Sequence, residues 1–469
     1  MRAALLKAQA KKKKFLKRQK EVYVEEDSDA SLSSDDEESY SENIVSQYVN
    51  QKYFILKYLG RGTFSKVWLV LDVEDNNFYA LKIQEPNDLE EMEDEIEFLT
   101  KLQKKGDGNS YYSFGKIIDN FKLRINGIET YGMVLELLGD NIGFIIGEIP
   151  EEIRLKMIKK IIRQLVSGLD LLHSQGIVHT DMKVDNILLN QINPDISNFM
   201  DSIRELQISE SYQKLLRDSL PKELALLDKK KRKQIKRKIK NKIIKQICSE
   251  FQEPIIKING ETKQNLKLEI EELDVSDELL DDEDEDNENM YQDNISEGAQ
   301  VDYDWDNLGI KIIDLGNSEY EDDIEADNEV YTRSYRPPEN IIKKEYSSKS
   351  DIWFVGCFLY ELLTEEILFD IDVDSIEKSK RDKEHLKQMH QYLGLLPRSM
   401  IQNHKLNEEV IDFNRFQLED ISLRDNISDS FEIEENELDL IEDLMYKILE
   451  YEPEKRYSAR DILNHKWLQ

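Results

Sequence analysis

The chain has 469 residues, 39 % apolar and 35 % charged, with a formal net charge of −34. That length and apolar fraction allow two or three domains with a sizeable core. Two cysteines, Cys248 and Cys357, exclude a disulfide framework and a cysteine-rich zinc site, which fits a reducing compartment. No run of about 18 apolar residues exists to span a membrane, and the apolar run in MRAALLKAQAKKKK is too short for a secretory signal. The expectation is a soluble intracellular protein, cytoplasmic or nuclear, without a membrane partner.

The chain opens on residues 1–52, an arm in two blocks. Residues 1–20 hold nine bases and no acid; residues 25–42 hold nine acids and no base. Like charges at this density repel and bury little, so a disordered arm is expected. A globular stretch, 53–190, follows. It begins with strand-like alternation around Gly60 (YFILKYLGRGTFSKVWLVLDV) and a short strand, FYALKI. A helix is expected over about 88–104, where Met92, Ile96, Leu99 and Leu102 recur at helical spacing, and a longer one over 151–175. Residues 191–308 read as an insert of 118 residues. It contains eleven bases in 229–245 and twelve acids in 271–288. Its charge predicts disorder or only local helix, and its deletion is expected to leave catalysis intact. The second globular stretch, 309–469, starts with the strand IKIIDL and soon reaches DIWFVGCFLYELL, apolar on nearly every side, as a helix at the centre of a lobe would be.

Four groups of residues bear chemistry. Gly60-Arg61-Gly62-Thr63-Phe64-Ser65-Lys66-Val67 joins two strands, and its glycines let backbone N–H groups approach an anion. Alone, it fits any glycine-rich hairpin. Gly62 leads into a strand, which argues against dinucleotide-binding and Walker loops, where the glycines open a helix. Lys82 in FYALKI either points outward or meets Glu95, a carboxylate bordering the apolar face of its helix and so in need of a partner. His179-Thr180-Asp181-Met182-Lys183-Val184-Asp185-Asn186 is the sharpest signal. Asp181 can accept a hydroxyl proton, Lys183 can neutralise a transferring phosphoryl group, and Asn186 can ligate a hard cation. Asp314, ending an apolar strand before Leu315-Gly316, would be a second magnesium ligand, although such an ending is often only a turn.

In this order, with Pro337-Pro338-Glu339, Asp351 in SKSDIW and Arg456 in EPEKR, these pieces resemble the eukaryotic-type protein kinases over about 300 residues. The resemblance implies an α+β, two-lobed protein-kinase-like fold: a small β-rich N-lobe (about 53–138), a large helical C-lobe (about 139–469), and a charged insert between the catalytic loop and the DLG strand. It implies ATP and Mg2+ as cofactors and Asp181 as catalytic base. Lys82 would contact the α- and β-phosphates and pair with Glu95, while Asn186 and Asp314 would bind magnesium. Leu59, Val67, Ala80 and Leu138 would wall the adenine, with the backbone of Glu136 and Leu138 as hinge. Glu339 with Arg456, and Asp351, would be scaffold.

Within that family the chain looks most like the SR-protein kinases, which phosphorylate serines in arginine–serine-rich proteins. The features are Gly-x-Gly-x-Phe64-Ser65-x-Val67-Trp68, Met133-Val134-Leu135-Glu136-Leu137-Leu138-Gly139, His179-Thr180-Asp181, Asp314-Leu315-Gly316-Asn317 and Thr332-Arg333-Ser334-Tyr335-Arg336. The implied partner is a basic Arg/Ser-rich protein substrate met by a monomeric kinase, with direct nucleic-acid binding disfavoured by the acidic charge. Glu366 and Glu384 align with acids of that group's docking groove, whereas Gln391 replaces another. Val184 and Pro337-Pro338-Glu339 also depart from the usual pattern, at positions without proton or metal chemistry. Thr180 stands where most kinases place an arginine that pairs with a phosphorylated activation segment. The expectation is activity without that phosphorylation. Two other readings stay open: a dual-specificity kinase of the LAMMER (CDC-like) group, whose Glu-His-Leu-Ala-Met-Met-Glu-Arg hallmark is missing at Lys387 and Gln388, and a pseudokinase scaffold.

Overall fold

The computed structural model describes residues 44–62, 65–85, 89–105, 113–125, 127–222, 224, 228–259, 270–272, 303–324, 330–342, 344–371, 376–401 and 421–469. Both charged blocks of the arm, and the acidic run from residue 273 onward, lie outside the described residues.

The first layer is an antiparallel sheet. Its strands are β1 (Tyr48–Val49), β2 (Tyr53–Arg61), β3 (Ser65–Asp72), β4 (Asn77–Gln84), β5 (Ile117–Ile125) and β6 (Ile128–Glu136), and helix α1 (Leu89–Lys105) lies between β4 and β5 in the chain. The spatial order is β1-β2-β3-β4-β6-β5. The sheet starts earlier than the boundary expected at residue 53. Tyr48 and Val49 pair with Phe54 and Tyr53, and Ile44 is fully buried, because the chain before Tyr53 carries apolar side chains that complete one face.

Period-two alternation sends Trp68 and Val70 of β3 to one face and Leu69 and Leu71 to the other. Trp68 and Val70 pack with Tyr53, Ile55, Leu81, Ile83 and Val134. Leu69 and Leu71 pack with Phe54, Leu56 and Phe78. A sheet buried on both faces explains the continuous apolar run WLVL.

The second face is covered by the insert, whose basic run takes the helical alternative and, unlike a solvated arm, packs on the sheet. After α2 (Arg154–Ser174), β7 (Ile177–Val178) and β8 (Ile187–Leu189), the insert forms three helices: α3 (Pro194–Glu205), α4 (Ile208–Ser219) and α5 (Lys229–Asn259). Asn193 caps α3, its Oδ1 accepting from Ile196 N at 2.9 Å, with Pro194 at the first helical position. Ile243, Ile247, Phe251 and Ile255 recur every four residues on α5. With Phe199, Ile203 and Tyr212 they close over Phe54, Leu56, Leu69, Leu71 and Phe78. Polar ties fix the register. Tyr212 and Lys240 both reach the Glu74 carboxylate, and Asn259 Nδ2 donates to Leu56 O at 2.8 Å. Charge counted over the whole insert hides one apolar stripe per helix.

A short strand, β9 (Ile270–Glu272), pairs with β5 at the sheet's far edge. The second lobe is helical. Strand β10 (Ile310–Ile312) pairs with β8, and β11 (Glu319–Tyr320) with β7. Helices α2 and α6 (Ser348–Thr364) form its centre with α8 (Glu435–Ile448), and α7 (Lys378–Leu393) lies nearer the surface. Every residue of α6 from Ser350 to Thr364 is buried. Arg456 and Glu339, both essentially without solvent contact, are joined by bonds of 2.8 and 2.9 Å. Among the described residues no helix is long and apolar enough to cross a membrane.

Glu361 on α6 is a buried carboxyl whose Oε2 accepts from Tyr335 OH at 2.9 Å. Burial pushes its pKa up to about 7, against the Tyr335 hydrogen bond, which lowers it, and with nearby Asp185, which raises it. The folded state therefore holds a proton that the unfolded chain releases near 4.5. Stability is lost as pH rises from there through about 7. Glu361→Gln keeps an acceptor for Tyr335 and removes a penalty of about 3 kcal/mol at high pH. Thermal melts are expected to show a gain of a few degrees at about pH 8 and little at about pH 5; equal shifts at both would contradict this.

Candidate active site

The cleft between the lobes gathers residues from five elements. Register places Val67, Ala80 and Lys82 on one face of the β3–β4 pair, through the partners Val67↔Lys82 and Leu69↔Ala80. The Gly60–Val67 turn folds back as a hairpin, with Gly60 opposite Val67, Arg61 opposite Lys66, and Gly62 N donating to Ser65 O at 2.7 Å. Thr63 and Phe64 at its tip lie outside the described residues. A Cβ added at Gly60 would meet no protein atom within 4 Å, so packing does not require glycine there.

Lys82 Nζ sits 2.7 Å from Glu95 Oε2 and 2.7 Å from Asp314 Oδ1. These three groups line a small cavity with Ser65 and Gln84. Burial alone would lower the pKa of Lys82, but the two carboxylates outweigh it and hold the ammonium well above its usual range. Burial would raise Asp314, yet Lys82 pulls it below the ordinary carboxylate value; Glu95, more deeply buried, is pushed up by desolvation.

The loop between β7 and β8 supplies Asp181. Its Oδ1 accepts from Thr332 Oγ1 at 3.1 Å and its Oδ2 lies 3.2 Å from Lys183 Nζ. Asn186 Nδ2 donates to Asp181 O at 2.8 Å, leaving the amide oxygen as the donor a hard cation would take. Asp351, with no solvent exposure, holds this loop from below. Its carboxylate accepts from His179 N at 2.8 Å, Thr180 N at 3.2 Å and Tyr331 OH at 3.2 Å, and lies 2.8 Å from His173 Nε2. Thr180, Asp314 and Tyr331 all have left-handed backbones, with φ of 67°, 65° and 68°. Each costs of order 1 kcal/mol or more and persists because its surroundings impose it.

Leu138 lies just past β6, outside its ladder, and Glu136 ends that strand. Glu136 N donates to Lys116 O at 2.8 Å, and its carboxylate pairs with Lys311 at 2.9 Å. Gly139 follows, where a Cβ would fall 1.8 Å from Gln191 O, so only glycine permits this approach to the start of the insert. Leu59 and Leu137 border the apolar cluster built by the insert, which thereby reaches the roof and the hinge of the cleft.

Glu366 and Glu384 are placed apart from this cluster. Both Glu384 oxygens lie within 3.2 Å of Lys387 Nζ, and Asp382 is taken by Arg333 at 2.6 Å. Helix α7, which carries Glu384, has five bases against two acids. Sequence reasoning also gave no role to Thr332 at Asp181, or to the Thr180 hydroxyl, which donates to Asn317 O at 2.5 Å. Side chains more than a hundred residues apart meet there, and nothing local signals it.

A glycine hairpin, a lysine shared by two carboxylates and a carboxylate anchored in a buried loop form the nucleotide cleft of a phosphotransferase. The protein kinase domain model matches residues 53–216 and 294–468, most of the chain, and the chain belongs to that family. It is similar to the serine/threonine-protein kinase SRPK of Physarum polycephalum, at 27 % identity over 90 % of this chain and 87 % of that one. It is also similar to human SRSF protein kinase 3, at 25 % identity over 93 % of this chain and 91 % of the relative. A third relative is the probable serine/threonine-protein kinase clkA of Dictyostelium discoideum, 25 % identical over 92 % of this chain but only 37 % of its own length. The chain is thus a protein serine/threonine kinase. Kinase domains use ATP and Mg2+ in general, and the oxygen donors of Asn186 and Asp314 suit a hard cation.

Proposed function

We propose that the chain transfers the γ-phosphoryl group of ATP to serine hydroxyls in basic, arginine/serine-rich proteins, and that it does so without phosphorylation of its activation segment. The single observation that carries this is the Lys82 bridge to both Glu95 and Asp314, the arrangement a kinase needs before it can act. Asp181 takes the proton from the substrate hydroxyl, and Lys183 offsets charge on the group in transit. Lys82 holds the α- and β-phosphates, and Gly60 to Val67 cover them. Asn186 and Asp314 would hold Mg2+, which neutralises phosphate charge when bound. Leu59, Val67, Ala80 and Leu138 enclose the adenine against the Glu136–Leu138 hinge.

Independence from phosphorylation is supported by contacts that hold both ends of the activation segment without a phosphate. Near its start, Thr180 Oγ1 donates to Asn317 O and Ser318 Oγ donates to His179 O at 3.3 Å. Near its end, the Arg336 guanidinium donates twice to Tyr331 O, at 3.0 and 3.1 Å. A basic substrate fits the acids Glu319, Glu321, Asp322 and Asp323 of that segment and the net charge of −34. Support from Glu366 and Glu384 is weaker, given the lysine on Glu384.

Pure protein treated with phosphatase is expected to phosphorylate an Arg–Ser repeat peptide within about twofold of the untreated rate. Loss of turnover after treatment would sink the regulatory part. Preference for an acidic peptide would sink the substrate class. Phosphotyrosine on the purified chain would favour the dual-specificity reading instead.

A further inference from the structure

The N-terminal half of α5 is electrostatically incomplete as it stands. Residues 229–245 hold eleven bases and no acid. The first turn has no acidic residue of its own; Asp228, just before it, accepts from Lys231 N at 2.9 Å, and against that one acid Lys229 to Lys233 crowd the positive end of the helix dipole. Like charges also face each other one turn apart, at 229/233, 232/236, 233/237, 236/240 and 238/242, and each such pair opposes the helix. Lys231, Lys238, Lys242 and Lys245 share one exposed stripe, opposite the Ile243–Ile247–Phe251 face that grips the sheet. Among the described residues, Lys238, Lys242 and Lys245 have no carboxylate within ion-pair distance.

We propose that this stripe is the seat of the chain's own acidic block, residues 25–42. Charge complementarity is the first argument: nine acids without a base meet eleven bases without an acid. The second is where that block joins the fold. Its last residue, Glu42, lies two residues before Ile44. Val45 and Tyr48 border the apolar cluster to which α5 contributes, and Ser46 and Gln47 bond to Ile55, next to the Leu56 carbonyl that binds Asn259 at the C-terminal end of α5. The third is length. Lys245 lies about 20 Å, and Lys229 about 45 Å, back along the helix from Asn259. An extended chain running back from Ile44 brings Asp35 to Glu38, about 20–30 Å away, level with Lys242 and Lys245, and the eighteen residues, about 60 Å long, reach past Lys229. The block also contains six serines, among them Ser33, Ser34 and Ser39, whose phosphorylation would tighten the contact.

Carbodiimide cross-linking of the full chain, mapped by mass spectrometry, is expected to join Asp35 to Glu38 with Lys238, Lys242 or Lys245, and to fail at about 0.5 M salt. As a second readout, a fluorescein-labelled thymidine oligonucleotide serves as a polyanion probe. It should bind about tenfold more tightly once Asp35→Asn, Asp36→Asn, Glu37→Gln and Glu38→Gln vacate the stripe, and K238Q/K242Q/K245Q should cancel that gain. Cross-links from 271–288 instead would assign the stripe to the other acidic run and overturn the proposal. So would an oligonucleotide affinity unaltered by the four neutralising changes, which would mark a face open to nucleic acid. Neither readout uses phosphoryl transfer, so failure here is separate from failure of the kinase reading.

Discussion

Asp181→Asn is expected to lower turnover on an Arg–Ser peptide by roughly 10³-fold, at the middle of the range for a positioned acid–base group, while leaving ATP·Mg binding within a few-fold. The substitution is close to isosteric. Its amide oxygen can still accept from Thr332, which now donates to Asp181 Oδ1 at 3.1 Å, so the loop's geometry should hold. What disappears is a carboxylate able to take a proton, together with the charge that sits 3.2 Å from Lys183. Asp351 secures the backbone of His179 and Thr180 independently, so folding is not at stake. Steady-state rates and nucleotide titration on the same preparation separate the two effects. A rate within about tenfold of wild type would mean that another group receives the proton.

Removing residues 191–308 is expected to cost the fold, contrary to what the charge of the insert suggests. The ends can be rejoined easily, since Asn190 N already donates to Gly309 O at 3.0 Å and β8 pairs with β10. The cost lies elsewhere. Phe54, Leu56, Leu69, Leu71, Val73 and Phe78 would lose their cover. At about 1.5–3 kcal/mol per large side chain, six of them amount to on the order of 10 kcal/mol, comparable to the whole stability of a typical domain. The shortened protein should aggregate, or melt far below the full chain. A second version with Leu69→Gln and Leu71→Thr should recover solubility if the exposed face is the cause. A soluble deletion protein melting within about 3 °C of the parent would show that the insert is an appendage.

The catalytic constellation was legible because its chemistry is local. Asp181, Lys183 and Asn186 fall within six residues, Lys82 sits on a short apolar strand, and Asp314 lies two residues past another. Glu95 was readable for a physical reason: a carboxylate at the edge of an apolar helix face needs a cation, and Lys82 is 2.7 Å away. The insert was misread because charge density was weighed over whole segments. Ile243, Ile247, Phe251 and Ile255 carry a four-residue period in plain view, but the basic run of 229–245 leading into them dominates the count of charge. The hydroxyls of Thr180 and Thr332 escaped notice, since their partners Asn317 and Asp181 lie 137 and 151 residues away along the chain. Lys387, three residues after Glu384 and paired with it, was not weighed when Glu384 was read as a docking acid.

The most direct test is a single-turnover experiment on phosphatase-treated protein with radiolabelled ATP, Mg2+ and an Arg–Ser peptide. Label appearing on peptide serine, and vanishing when Mg2+ is chelated, is the predicted result. Protein that binds ATP·Mg with the peptide present and yet moves no phosphate would contradict the assignment of Asp181, Lys82 and Asp314 to this chemistry.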